Sequence, residues 1–376
     1  MSEARATVSV TEVTGGWQSL GTICGVWETN TTYCWRPDSA PPWSILPPVL
    51  LTGVSVLSGI RSGLQHACGI AANGDAYCWG ENEYGQVGDG TLIDRPTPVL
   101  VAGGLLFDSI TVGALHSCAI TREGRAYCWG AGRRGQLGAP PPEVCAGLPC
   151  STQPLAVAEN LRFRVIAAGG IDVAPSSSGL GFTCAVTDVG KAYCWGGNFF
   201  GSVGDGSRTD RSVPTAVAST ESFVAIAAGE YHACALARGG EVYCWGGGSQ
   251  GQHGSILPPS ARCPVGDIIF GCVTTPLVIP DHRFRSLTAY NGNTCALDFF
   301  GAALCWGRND LLGQVGAGPI AENSVRTPRR VIGGHTFLEI RMGISSTCGL
   351  KPDGSVWCWG NFVPEPQLVP EPAPRR

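Results

Sequence analysis

The residues best able to do chemistry in this 376-residue chain are its 18 cysteines. Thiols in such number close disulfides, bind metal or act as nucleophiles. Fourteen fall into seven pairs of a single spacing, C-x9-C: Cys24/Cys34, Cys68/Cys78, Cys118/Cys128, Cys184/Cys194, Cys234/Cys244, Cys295/Cys305 and Cys348/Cys358. Each second cysteine precedes a tryptophan, at Trp35, Trp79, Trp129, Trp195, Trp245, Trp306 and Trp359. Zinc ligands usually come in pairs two to four residues apart, and two ligands in each of several distant repeats do not gather four around one ion. Paired structural disulfides are therefore expected, with free buried thiols as the alternative and no metal site.

The other reactive side chains give no catalytic set. His66, His116 and His232 each lie two residues before a first cysteine, where the other repeats have Thr22, Phe182, Asn293 and Ser346, so a structural hydrogen bond is expected. Asp89 and Asp205 fall in G-D-G turns, ordinary turn chemistry for Asp. Gly130–Gly135 matches the dinucleotide pattern G-x-G-x-x-G and Gly247–Gly251 the nucleophile pattern G-x-S-x-G. Both need a helix after the strand, and here the glycines belong to a repeated loop. No cofactor and no enzymatic activity are expected. Asn30-Thr31-Thr32 is a glycosylation sequon, relevant only in a eukaryotic secretory host.

The spacing implies the elements that hold these groups. Six residues after the first cysteine stands Gly74, Gly124, Gly190, Gly240, Gly301 or Gly354, and Asn30 in the first repeat. A three-residue hairpin loop ends on a left-handed residue, which Gly supplies. With Arg122-Glu123-Gly124 as that loop, Thr121 pairs with Arg125 and Cys118 lies opposite Cys128. Opposed residues sit about 4.5–5.5 Å apart, within disulfide range. Each repeat then reads as four strands. Strand A is F-x-x-I (Phe107 to Ile110, Phe163 to Ile166, Phe223 to Ile226, Phe337 to Ile340), strand B holds the first cysteine, strand C is AYCWG, and strand D begins near proline, as at Pro96. Alternation places the cysteines on one hairpin face and Tyr/Trp on the other, where they are expected to pack between neighbouring units. Extra copies of strand D, at Thr7–Val10 and Gln367–Val369, are expected to supply one strand that closes the last unit and joins the chain ends.

HACGIAANGDAYCWGENEYGQVGDG, residues 66–90, resembles the regulator of chromosome condensation repeat family, and looser copies cover nearly the whole chain. Its G-Q-x-G element stands at Gly85–Gly88, Gly135–Gly138, Gly251–Gly254 and Gly313–Gly316, with Gly201-Ser202-Val203-Gly204 as a variant. The resemblance implies an all-β, seven-bladed propeller of four-stranded blades, here with one disulfide per blade. The domain expected is 17–363, flanked by an N-terminal stub, 1–16, and a proline-rich tail, 364–376, each with a possible closing strand. The family includes nuclear nucleotide exchange factors, a plant ultraviolet-B photoreceptor, and a secreted bacterial branch with beta-lactamase inhibitors. Paired cysteines need an oxidising compartment, so the chain looks most similar to the last. MSEARATVSV shows no apolar signal-peptide core, so a mature segment or a piece of a longer protein is expected, located outside the cell, in a periplasm or at a cell surface.

Composition bounds the partner. Net charge is −4 and charged residues are only 14%, unlike a basic nucleic-acid binder. No run of apolar residues is long enough for a membrane-spanning helix. The irregular segments are 171–180, between strands A and B of repeat 4; 139–151 with Cys145 and Cys150; and 255–273 with Cys263 and Cys272. The last two are C–D loops. Strand parity puts A–B and C–D loops on one face and the B–C hairpins on the other, so all three insertions crowd one face of neighbouring blades 3–5. Loops on a rigid scaffold are where binding usually resides. Tyr84, Phe199, Phe200, Tyr231, Phe270 and Tyr290, with Arg133 and Arg134, are the expected contacts there for a protein or glycan partner of a monomer. An exchange-factor-like regulator, or an enzyme working at a channel mouth, is the alternative.

Overall fold

The computed structural model describes residues 9–13, 22–27, 31–35, 49–50, 57–63, 65–170, 181–255, 262–265, 268–309, 313–318, 322–343, 346–360 and 363–369. Among them every regular element is a β-strand, and no helix is long and apolar enough to cross a membrane. Low Lys and Glu content with 54 Gly and 27 Pro favours short strands joined by turns.

Blade 3 shows how the sequence makes its unit. Phe107–Val112, His116–Thr121, Ala126–Ala131 and Leu148–Val157 serve as strands A to D and pair antiparallel in that order. The B–C turn is the expected one: Thr121 N–H donates to the Arg125 carbonyl at 2.9 Å, Gly124 N–H to the Thr121 carbonyl at 2.9 Å, and Gly124 has φ +79°. Cys118 consequently faces Cys128.

Six such hairpins are closed by a disulfide: Cys68–Cys78, Cys118–Cys128, Cys184–Cys194, Cys234–Cys244, Cys295–Cys305 and Cys348–Cys358. The pairing is the one the spacing predicts, but the separation is corrected. The Cα atoms of these pairs stand 4.0 to 4.1 Å apart, nearer than the expected range. Cys78, Cys128, Cys194, Cys244, Cys305 and Cys358 therefore belong to the closer, non-hydrogen-bonded kind of opposed pair.

The expectation of seven alike, four-stranded, disulfide-stapled blades is corrected. Among the described residues there are six such blades, not seven; they keep their repeat numbers, 2 to 7. Two of the six, blades 3 and 5, have five strands because their insertions fold as further strands, Glu143–Cys145 and Arg262–Val265. The first repeat supplies a thinner sheet, Ser9–Val13, Thr22–Trp27, Thr31–Trp35 and Val49–Leu50, whose last strand has two residues. It has neither the F-x-x-I strand nor the G-Q-x-G loop that seat one blade on the next. Cys24 and Cys34 are opposed in its backbone ladder, but their side chains lie outside the described residues, as do Asn30 of the sequon and the insertion 171–180.

Innermost strands neighbour one another in turn, and Ser9–Val13 lies between Leu57–Ser62 of blade 2 and Glu339–Met342 of blade 7. The chain ends do not share a sheet. Val363–Leu368 completes blade 7 beside Val356–Gly360, whereas Ser9–Val13 pairs with Thr22–Trp27. The N-terminal segment is therefore an innermost strand, not the outer strand expected at Thr7–Val10.

The core lies between blades. The disulfide face of blade 2, with Cys68, Cys78 and Ile70, packs on Phe107, Ile110, Tyr127 and Trp129 of blade 3. Trp129, Trp195, Trp245, Trp306 and Trp359 are all less than 2% exposed. Each is seated by the last glycine of the preceding blade's G-Q-x-G loop. A Cβ on Gly88 would stand 2.5 Å from Trp129 Nε1, and Gly138, Gly204, Gly254 and Gly316 meet the next four tryptophans in the same way. Trp129 Nε1 donates to the Gln86 carbonyl at 3.0 Å, Trp195 to Gln136, Trp245 to Ser202 and Trp306 to Gln252. Burying an aromatic of this size stabilises by roughly 2–3 kcal/mol, and here it does so across a blade boundary.

Candidate functional site

The six described hairpin disulfides belong to the packing between blades and not to any exposed site. Cys68, Cys118, Cys184, Cys234, Cys295 and Cys348 and their partners Cys78, Cys128, Cys194, Cys244, Cys305 and Cys358 are all buried. Cys194 lies in the cluster of Phe223 and Trp245, and Cys244 and Cys305 in that of Phe284, Trp306 and Trp359. A bonded, buried sulfur offers no nucleophile and no metal ligand. Among the described residues no cysteine is free.

The three repeat histidines make structural bonds. Ser117 Oγ donates to the Gln86 carbonyl at 3.0 Å, so its contact with His66 Nε2 at 2.8 Å must be donated by the ring. His116 Nε2 meets Thr183 Oγ1 at 2.9 Å in the same way, with Thr183 donating to the Gln136 carbonyl. His232 Nε2 lies 2.8 Å from Thr294 Oγ1. All three rings are buried, and burial lowers them to about 3, about 4 and about 3, which keeps them neutral. Asp89 and Asp205 are turn residues, each accepting from the residue two ahead and paired with Arg95 or Arg211. Burial pushes these carboxyls up, but hydrogen bonds from Thr91 and Arg95, or from Ser207 and Arg211, hold them below the usual range.

The two pattern matches do not form sites. Among the described residues no helix follows Gly130–Gly135 or Gly247–Gly251. The nearest histidine to Ser249 in sequence, His253, donates Nε2 to the Gly246 carbonyl at 2.8 Å and is lowered by burial to about 4. Glu143 lies close to Cys145 and Cys150, but those sulfurs are bonded to each other and offer no thiolate.

Two insertions project from the A–B/C–D side as stapled ribbons. Glu143–Cys145 pairs with the start of Leu148–Val157, closed by Cys145–Cys150. The Glu143 carboxylate accepts from Thr152 N–H at 3.0 Å and from its hydroxyl at 3.1 Å, tying the ribbon to the blade. Arg262–Val265 pairs with Ile268–Val278, closed by Cys263–Cys272.

Between blades 4 and 6 the same side carries a cleft of about 260 Å³. Phe200 and Tyr231 form its wall, with ring centroids 5.0 Å apart at 60°, and Phe199 meets Phe200 edge-on at 5.1 Å. Phe199 is also held locally: the Arg208 guanidinium lies 5.1 Å from its ring and donates to its carbonyl at 2.7 Å. Glu230, Gln250 and Arg308 supply the polar lining. Glu230 is 8% exposed and also reaches the mouth of the axial channel, a narrow space of about 60 Å³ with Tyr290 at its rim. Burial raises the Glu230 carboxyl, opposed by the Tyr231 hydroxyl that donates to it and by Arg308. Burial and Glu230 push the Tyr231 hydroxyl up in turn.

The sequence-derived contacts thus divide. Phe199, Phe200 and Tyr231 come together, whereas Tyr290 lines the neighbouring narrow space with Glu230; all four are half-buried. Tyr84 does not belong with them. It is buried with Ala114, Leu115 and Ala131, because the blade 3 A–B turn closes over it, and this corrects its expected exposure. Arg133 is exposed, whereas Arg134 bridges to Asp210 of blade 4 at 3.1 Å. The Phe270 side chain lies outside the described residues. Glu230, Ser249, Gln250 and Arg308 were missed. Glu230 had a signal: it is a charge at the turn position that holds Leu64, Ala114, Asn291 and Ile344 in repeats 2, 3, 6 and 7. The exposed Phe299 and Phe300, on the opposite side at the blade 6 B–C turn, were missed as well.

Repeated hairpins, tryptophan seats and G-Q-x-G loops coincide with two matches to the family model described as the regulator of chromosome condensation (RCC1) repeat, at residues 58–86, 107–136 and 223–252 and at 73–120, 123–170 and 189–236. Residues 58–170 and 189–252 thus match RCC1 repeats. The ultraviolet-B receptor UVR8 of Arabidopsis thaliana is 28% identical over 205 residues, which cover 54% of this chain and 42% of the receptor, less than half of its length. Human WBSCR16 superposes with a TM-score of 0.72 at 18% identity, covering 89% of this chain and 88% of that one. Prp20p of Saccharomyces cerevisiae, studied for its binding to Gsp1p and histones, gives 0.66 at 21% identity, covering 88% and 79%. At these identities the two superpositions establish a shared fold.

Proposed function

We propose that this RCC1-repeat protein is a non-enzymatic binding protein that recognises a protein partner, with or without attached glycan, through the side bearing the blade 3 and 5 ribbons. The observation that carries this reading is the aromatic cluster Phe199–Phe200–Tyr231 standing beside a ribbon stapled by its own disulfide. Aromatics at such positions are favoured interface anchors, and a pre-stapled ribbon lowers the ordering cost of binding. Protein binding by the related Prp20p supports the same class of function. Eight described disulfides suit an oxidising compartment, and we place the protein outside the cell, in a periplasm or at a cell surface.

The double variant Phe199→Ala/Phe200→Ala tests the surface. Captured partner should fall at least tenfold with melting cooperativity retained, whereas Phe300→Ala on the opposite side should leave capture unchanged. Equal capture by wild type and the double variant would place the interface elsewhere.

A further inference from the structure

We propose that the cleft between blades 4 and 6 holds one neutral sugar ring carried by a glycosylated partner. This rests on the binding side proposed above and adds the chemistry of what enters it. At about 260 Å³ the cleft falls just under the roughly 300–1,000 Å³ of pockets for drug-sized ligands. It therefore suits one ring rather than a peptide segment. The wall of Phe200 and Tyr231 is apolar, while the polar lining carries both signs. Glu230 accepts, Arg308 donates, Ser249 brings a hydroxyl and Gln250 an amide.

That mixture selects against other occupants. A lysine or arginine side chain would meet Arg308 as well as Glu230, and a carboxylate Glu230 as well as Arg308, so neither sign gains a net attraction to offset the cost of taking its charge out of water. An alkyl or aromatic side chain would displace water from Glu230 and Arg308 without replacing its hydrogen bonds. A pyranose meets every demand together. Its C–H face lies on an aromatic ring, and its hydroxyls donate to a carboxylate while accepting from a guanidinium.

The site is preorganised. Ser202 Oγ donates to the Tyr231 carbonyl at 2.7 Å, and the Tyr231 hydroxyl is bonded to Glu230. The floor at Gly247 leaves the ring its room, since a Cβ there would lie 2.8 Å from Tyr231 Cβ. Gly247 has no positive φ, so Gly247→Ala carries no left-handed backbone penalty; its methyl instead displaces Tyr231 from the wall of the cleft.

Wild type, Arg308→Gln and Gly247→Ala would be titrated by NMR with methyl glucopyranoside, methyl galactopyranoside and N-acetylglucosamine, and with glucuronate, glucosamine and a lysine-containing tripeptide. At least one neutral sugar should bind wild type more tightly than any charged probe. Arg308→Gln should weaken it about tenfold, the loss of one charge-assisted hydrogen bond, and Gly247→Ala more. No binding by any neutral sugar, tighter binding of a charged probe, or unchanged affinity in both variants would overturn the assignment. Loss of partner capture by Phe199→Ala/Phe200→Ala without any sugar binding would retain the interface and remove the sugar. Sugar binding with capture unaffected by that variant would do the reverse.

Discussion

His66, His116 and His232 each occupy the strand B position that faces Ser117, Thr183 and Thr294 of the following blade. At blade 4 that position is Phe182, and the residue at the facing position of blade 5 is Ala233, both fully buried. Blades 2, 3 and 5 thus place an imidazole against a hydroxyl where blade 4 places a phenyl ring against a methyl. The two arrangements differ in response to acid. The imidazoles are held at about 3 to about 4 when folded, against about 6.5 unfolded. Unfolding therefore takes up protons once pH falls below about 6.5, and stability declines from there down through the folded values. Thermal melts should show Tm falling steadily between about pH 6.5 and pH 4. The double variant His116→Phe/Thr183→Ala, which copies the Phe182/Ala233 solution, should have a shallower slope. A slope identical to wild type would show that His116 does not carry its share. The hydrogen bond was legible from the position of these residues in the sequence. Its partner was not, because the donor and acceptor are 51 to 67 residues apart.

Among the elements, the G-Q-x-G loop determines how one blade meets the next. Its last glycine has positive φ, +76° at Gly88 and +71° at Gly138, and lies under the next blade's indole. Gly88→Ala would bring a methyl to 2.5 Å from Trp129 Nε1 in a backbone conformation that alanine disfavours. A loss of about 1–3 kcal/mol or more follows. It should appear as a lower urea midpoint with unchanged m. Gly103→Ala is the control, since a Cβ there has nothing within 4 Å and φ is +94°; it carries the backbone penalty alone. If the two variants lose equal stability, contact with the tryptophan contributes nothing. The sequence marked this loop as a repeated motif and also as one dinucleotide-like and one nucleophile-like pattern, neither of which is followed by a helix among the described residues. Its role emerges only when the indole of the following repeat is placed above it.

At the scale of the molecule, the disulfides lie within blades and the core lies between them. The staples hold each hairpin, roughly 2–3 kcal/mol apiece in the loop-entropy model, while packing of tryptophans and phenylalanines joins the blades. Thiol titration of the denatured, unreduced protein should find none of the sixteen described cysteines reactive. Eighteen reactive thiols would instead fit a reducing compartment and the exchange-factor-like alternative. The two insertion ribbons extend the outer edges of blades 3 and 5 instead of hanging as loops, which is how they can present a defined surface.

From the sequence alone came the all-β class, the hairpin register, the six described hairpin disulfides and the side of the two described insertions. Each follows from spacing within about ten residues, where alternation and one left-handed glycine leave a single geometry. Tertiary structure alone decided that six repeats form complete blades while the first forms a thin sheet. It also placed the N-terminal strand innermost, buried Tyr84, and brought Glu230 and Arg308 to one cleft with Phe200 and Tyr231. Those outcomes depend on which blade lies against which and how far side chains reach across the gap, and no local periodicity encodes that distance.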